Sequence, residues 1–200
     1  MLSGLKAWML AAVAGAGAVS ALPSASTAVR APRVCSRGPS EQWFNATVTL
    51  PRTVEQGATY TVRIDDVPSG KIAHFGLYNI HDMATDYAVP AGAKFVAGSA
   101  RVVAGTGTAN VVTGARVWNE GGLIRSVLTD HVPSGSSYTP PSIEFQLEAA
   151  APVGASLALR FVEYRVTANA IFVGDVATTC NPVLKSSPLG TTLVTAPPSP

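Results

Sequence analysis

The chain predicts an all-β fold, a sandwich of antiparallel strands preceded by an export signal. Three observations predict it. Apolar and polar residues alternate with period two in one segment after another beyond Trp43. Turn residues separate those segments at intervals of about ten residues, the spacing of sandwiches and barrels. No sustained helical period follows the first ~28 residues. Composition agrees. Charged residues are only 13% of the chain and hydrophobic residues 47%. That is too little Glu, Lys and Leu for a helical bundle and too much apolar content for disorder.

Residues 1–28 read as a signal peptide. Lys6 is the only charge before Arg30, Ala7 to Ala21 is apolar and small, Pro23 interrupts it, and Ser26-Thr27-Ala28 offers the small residues a signal peptidase reads, with cleavage expected after Ala28. The apolar run is about 15 residues, short of the ~20 that span a bilayer. No later segment is long and apolar enough to do so. Residues 29–41 read as an N-terminal leader, whose Arg30, Arg33 and Arg37 are expected to be a solvated arm. The formal charge of the whole chain is +2, with no block of like charges, so no nucleic-acid footprint is present.

A β-sandwich domain is expected over residues 42–182. Phe44, Ala46, Val48 and Leu50 share one strand face, and Pro51 ends the strand. Tyr60, Val62 and Ile64 alternate with Thr61, Arg63 and Asp65. Val67-Pro68-Ser69-Gly70 marks a turn. Ile72 to Ile80 is apolar on both faces, as in a central strand, with His74 a hydrogen-bonded residue within it. Phe95-Val96 and Arg101-Val102-Val103 follow the turn at Pro90-Ala91-Gly92. Val111 to Trp118 and Leu123 to Leu128 flank a hairpin link at Asn119-Glu120-Gly121-Gly122. Val132 to Pro141 reads as a polar loop. Ile143, Phe145 and Leu147 alternate again, as do Leu157, Leu159 and Phe161, and Ile171, Val173 and Val176 lead into Cys180. Residues 183–200 read as a flexible tail rich in Pro, Ser and Thr.

Cys35 and Cys180 are the only two cysteines and bracket the domain. In an exported chain such a pair predicts a disulfide. Neither has a second cysteine or histidine beside it at metal-ligand spacing.

Val54 to Val62, Val89 to Ala100 and Pro152 to Leu157 carry a resemblance. VEQGATYTV looks like the opening strand pair, VPAGAKFVAGSA the middle turn and strand, and PVGASL the later turn of the conserved-repeat, immunoglobulin-like domains of bacterial surface proteins. The three segments follow in the family's order. The resemblance implies an immunoglobulin-like β-sandwich of roughly seven to nine strands. It also implies a stalk, spacer or adhesive role with no catalytic residues. The chain departs from the pattern in its single copy, its cysteine pair and Asp66 where the family often has Asn.

Candidate chemistry is sparse. His81-Asp82 with Asp86 could serve as a metal site or an acid–base pair, and Asp130-His131 could orient an imidazole toward Ser134, Ser136 or Ser137. Asp65-Asp66 with Asp82 or Asp86 could bind calcium, although Asp at a strand end is usually a turn former. Neither a Gly-x-Ser-x-Gly elbow nor a His-Glu-x-x-His motif nor a phosphate-binding glycine loop occurs. Asn45-Ala46-Thr47 matches a glycosylation acceptor but lies in an expected strand. Of the tryptophans, Trp118 is the one expected to be exposed. The resulting expectation is a secreted or cell-envelope, non-enzymatic module with a structural or binding role toward an extracellular partner. That expectation includes no cofactor, no catalytic residue and no metal ligand. The competing expectation is a small secreted hydrolase or metal-dependent enzyme using His81/Asp82 and Asp130/His131.

Overall fold

The computed structural model describes residues 24–37, 42–67, 71–72, 76–103, 114–185 and 187–198. They form an all-β structure. In chain order the strands are β1 (Ser24–Cys35), β2 (Gln42–Pro51), β3 (Thr53–Glu55), β4 (Thr59–Asp66), β5 (Leu77–Ala88), β6 (Ala93–Phe95), β7 (Arg101–Val103), β8 (Ala115–Glu120), β9 (Leu123–Leu128), β10 (Val132–Pro133), β11 (Ser142–Ala149), β12 (Ser156–Ala170), β13 (Gly174–Pro182) and β14 (Gly190–Thr195). These fourteen segments exceed the roughly seven to nine expected. β3, β6, β7 and β10 are only two or three residues long.

One hydrogen-bonded path runs β6-β11-β4-β2-β1-β13-β12-β5-β9-β8, with β7 on β11, β10 on β5, and β14 joining β12 to β3. β2, β4 and β11 supply one inner face, and β5, β9 and β12 the other. The period-two pattern puts Phe44, Val48, Val62, Ile64, Phe145 and Leu147 inward from the first layer, against Tyr87, Ile124, Leu157, Leu159 and Phe161 from the second. Phe44 stacks on Phe161 at 4.9 Å and meets Tyr87 edge-on at 6.2 Å, so the layers interlock through aromatic rings. The hairpin between β8 and β9 turns on Gly121 and Gly122, whose φ of 59° and 83° suit a two-residue turn matched to the strand twist.

The structure departs from the sequence reading at both ends of the domain. The expected leader is not a free arm. Together with Ser24–Ala28 from the end of the expected signal, Val29–Cys35 forms β1, which pairs with β2 from Ser24↔Pro51 to Arg33↔Gln42. Arg30 lies over the Trp43 ring at 4.1 Å and Arg33 over the Tyr164 ring at 4.4 Å, so these arginines pack on aromatics instead of floating in solvent. The expected flexible tail supplies β14, antiparallel to β12 and parallel to β3, with Leu189, Thr192 and Val194 buried. The domain thus reaches from Ser24 to Thr195 and not only over 42–182.

Three internal readings also shift. The central strand is β5, beginning at Leu77; residues 73–75, with His74, lie outside the described residues. Met83 to Tyr87 are buried on both faces of β5, which runs between β12 and β9 in the interior of the sheet. Residues 132–141 are not a purely polar loop: Tyr138 and Thr139 are buried, and β10 pairs with β5. Ile171 to Val173 form the turn between β12 and β13, with Phe172 at φ 68° and fully exposed.

Candidate functional site

The sequence-nominated polar residues gather around a bulge in β5. In a regular strand, His81 and Asp82 would point to opposite faces. Here the register against β12 slips between Arg165 and Thr167, and Asp82 takes φ 49°. A bulge re-aims a side chain in this way. The Asp82 Oδ2 thereby reaches His81 Nδ1 at 2.8 Å. On its other side, His81 Nε2 lies 3.3 Å from Oδ1 of Asp175, two strands away on β13. Asn169 donates to the same Asp175 oxygen at 2.7 Å, across the register pair Asn169↔Asp175.

Desolvation by itself lowers the His81 pKa, but the two carboxylates together outweigh it and raise the value above that of a free imidazole. The Asn169 and His81 hydrogen bonds hold the Asp175 carboxyl below its ordinary range. His131 stacks on His81 with ring centroids 4.7 Å apart, and its Nδ1 meets Oδ1 of Asn79 at 3.2 Å. The structure therefore unites His81, Asp82 and His131, and adds Asp175, Asn79 and Asn169, which carried no local signal in the sequence.

The remaining nominated residues lie elsewhere or have other duties. Asp86 stands five positions along β5 from His81, roughly 17 Å at strand rise. Its buried carboxylate accepts from Arg125 Nε at 2.9 Å, Arg125 Nη2 at 3.1 Å and Arg165 Nη2 at 3.0 Å. Asp65 is held by Arg63, with Nε–Oδ2 at 2.8 Å and Nη2–Oδ1 at 2.7 Å. That ion pair draws the Asp65 carboxyl below its ordinary pKa. Among the described residues, no group of three or more His, Cys, Asp or Glu side chains is arranged to hold a metal ion. Asp130 packs against Gly114, where a Cβ would collide with its carboxylate.

Ser134 Oγ points to the Ile72 carbonyl at 3.5 Å, while Ser136 and Ser137 line a pocket of about 400 Å³ together with Lys71, Asp130 and His131. Trp118 is partly exposed, as expected, and Trp43 equally so. Asn45 sits in β2, as the sequence expected of the glycosylation triplet.

A second polar constellation gathers beside Trp43. Arg33 of β1, Asp66 at the end of β4, and Tyr138 and Tyr164 line a pocket of about 150 Å³ together with Phe44. The Tyr138 and Tyr164 hydroxyls are 2.9 Å apart. Arg33 Nη2 donates to Gln42 Oε1 at 3.1 Å, but its Nε is buried without a hydrogen-bond partner, as is the Oδ1 of Asp66. Burial pushes the Asp66 carboxyl up to about 7, with Arg33 opposing and Asp65 adding to the rise.

Fold and sites thus define a two-layered β-sandwich with a cross-strand disulfide and two separate polar clusters. No protein-family model matches the chain, and no curated protein matches it. Among solved structures it is similar to the sixth cohesin of scaffoldin B from Acetivibrio cellulolyticus, solved with a Cel5 dockerin. The identity is 12% over 72% of this chain and 93% of that one, with a TM-score of 0.35. It is also similar to a protein from Corynebacterium diphtheriae described as membrane anchored, at 11% identity over 88% of this chain and a TM-score of 0.34. The chain spans 38% of the length of that second protein. Similarity at this level does not extend to function. No helix among the described residues is long and apolar enough to cross a membrane.

Proposed function

We propose that the chain is an exported, non-enzymatic β-sandwich module of the bacterial cell envelope or its surroundings, with a binding or structural role. The observation that carries the non-enzymatic part is the bonding of His81. Both of its ring nitrogens engage carboxylates, Asp82 at 2.8 Å and Asp175 at 3.3 Å. A general base needs one nitrogen free to take a proton from a nucleophile. An imidazole clamped between two carboxylates is instead held as a structural cation that ties β5 to β13. His131 turns its Nδ1 to Asn79, and Ser134 turns its hydroxyl to a backbone carbonyl.

Export is supported by the Cys35–Cys180 bridge, because disulfides persist in oxidising compartments, and by the order of charge, apolar run and small residues at the N-terminus. Cleavage after Ala28 would remove the β1 residues that pair with Thr47 to Pro51. Val19-Ser20-Ala21 offers small residues ahead of Ser24, so the cleavage point that keeps β1 whole is after Ala21. N-terminal sequencing of secreted material should read Leu-Pro-Ser. Chains starting at Val29, or retained intact at the membrane, contradict it.

The catalytic question is decided by esterase, peptidase and glycosidase screens with and without calcium or zinc. The reading expects no turnover. Activity that disappears in His81→Ala or His131→Ala would favour the hydrolase instead, with the pocket beside His131 and Ser136 as its site.

A further inference from the structure

We infer that the free edge of β1 is a self-association surface, which pairs antiparallel with β1 of a second copy across a two-fold axis. β1 is flanked on both sides only over Arg33–Cys35, where β13 runs beside it. From Ser24 to Ala31 no described strand lies on the side away from β2. The direction of the backbone groups follows from two bonds. Ser36 donates its N–H to the Thr179 carbonyl of β13, and the Pro32 carbonyl accepts from Val183. Even-numbered residues of β1 therefore turn their backbone groups to that side. Ser24, Ser26, Ala28 and Arg30 present N–H and C=O groups along the open edge, a template for another strand.

Edges of monomeric sheets are commonly guarded by charge, proline or a bulge. This edge has no such guard. Its register with β2 is unbroken from Ser24↔Pro51 to Arg33↔Gln42, and proline comes only at its far end, at Pro32. Its single charge, Arg30, leans back over Trp43 of β2, away from the open side. Ser26 likewise bonds across to Thr49 of β2 at 2.8 Å. The occupant is a second copy because the edge complements itself. A two-fold axis at Thr27 sets Thr27 against Thr27, Ala25 against Val29 and Ser24 against Arg30, so apolar side chains meet and no like charges do. The incoming strand then continues in line from the end of β13. That brings Val183 and Leu184, which follow β13 and are 52% and 59% exposed, to the Ser24 end of the other copy. Ser24, Ala25 and Ser26 border an open cavity of about 430 Å³ there, together with Arg52. The symmetry repeats this contact at both ends of the seam. A single foreign strand could fill the edge but could not supply that reciprocal contact.

The inference deepens the binding or structural role proposed above and rests on a mature chain that keeps Ser24. The test therefore uses the protein from Leu22 onward, which contains every described strand, so its outcome is separate from those of N-terminal sequencing and turnover assays. The seam is roughly 25 Å long at strand rise, the small end of interface sizes, so the dimer should be weak and reversible. Sedimentation velocity between about 1 and 300 μM should show a monomer–dimer equilibrium. Amide exchange of the wild-type protein, followed by NMR over the same range, should show protection rising with concentration at the Ser26, Ala28 and Arg30 N–H groups. It should stay constant at Ala25, Thr27 and Val29, which bond to β2 in the monomer. Ala28→Pro removes an edge-facing N–H that the monomer does not use. It should weaken dimerisation about tenfold or more and leave the urea midpoint of the monomer unchanged. Should that variant unfold, the wild-type exchange pattern still decides. A monomer at every concentration overturns the proposal, and so does a dimer in which those three amides gain no protection or which Ala28→Pro leaves intact.

Discussion

Cys35 and Cys180 stand directly opposite each other on β1 and β13, with Cα atoms 3.9 Å apart, and their bridge closes a loop over a sequence separation of 145. The bond pins β1 to β13, which pair only from Arg33 to Cys35. This seam connects the β2–β4–β11 layer to the β12–β5–β9 layer. A crosslink over so long a loop removes much entropy from the unfolded chain, with a ceiling of roughly 5 kcal/mol. The Cys35→Ala/Cys180→Ala double variant should lose up to that amount in denaturant unfolding. A thiol assay on denatured, unreduced protein should find no free sulfhydryl.

The C-terminal strand is expected to be integral. β14 pairs with β12 beside Leu157 and Leu159, and Leu189 just before it and Val194 within it lie in the core. Deleting residues 188–200 should cost roughly 3–6 kcal/mol, taking about 1.5–3 kcal/mol for each of those two buried side chains. A truncated chain with an unchanged urea midpoint would show that the segment is dispensable.

Asp86 is nearly fully buried, with Arg125 and Arg165 as its partners. Asp86→Ala removes the charge-assisted hydrogen bonds from both arginines, but Arg125 and Arg165 are partly exposed and keep Glu120 and Glu163 as ion-pair partners. The variant should therefore be destabilised by about 1–3 kcal/mol. Glu120, which reaches Arg125 from the exposed side, should matter by less than about 1 kcal/mol when changed to Ala. Chemical unfolding of both variants checks the contrast.

The His81 pKa is raised in the folded protein, so the cation is bound more tightly there than in the unfolded chain. Its contribution is fully present below the unfolded imidazole pKa and is lost as pH rises through the folded value. Stability should fall across that interval, and His81→Gln should flatten the fall. A pH series of melting curves for the two proteins makes the comparison.

Asp66 shifts in the same direction but for the opposite reason, because the fold disfavours its charged form. Its carboxyl is pushed up to about 7 in the fold by burial. Arg33 on β1 opposes that rise, and the groups facing it also include Asp65 of β4, Tyr87 of β5, Tyr138 and Tyr164. The folded state holds the proton that the unfolded state releases near pH 4, so stability declines between about pH 4 and 7 on account of this group. Asp66→Asn should be more stable than wild type by roughly 1–3 kcal/mol at pH 8, the gain vanishing toward pH 4. Equal stability at pH 8 would mean that the charge is not desolvated.

Strand faces were legible in the sequence because side-chain direction alternates residue by residue, a local property. Phe44-Ala46-Val48-Leu50 in β2, Tyr60-Val62-Ile64 in β4 and Leu157-Leu159-Phe161 in β12 all turn their apolar sides inward as that alternation requires. The Cys35–Cys180 pairing followed from there being no other cysteine. Tertiary structure alone decided which strands become neighbours. Pairing with β2 makes Ser24–Cys35 a strand, and pairing with β12 and β3 does the same for Gly190–Thr195, although neither segment has a strong pattern of its own. His81 and Asp175 are 94 residues apart, and Arg33 and Asp66 come from different strands. Their contacts depend on register, on the bulge at Asp82 and on the seam between β1 and β13, and those arise only when distant segments pack together.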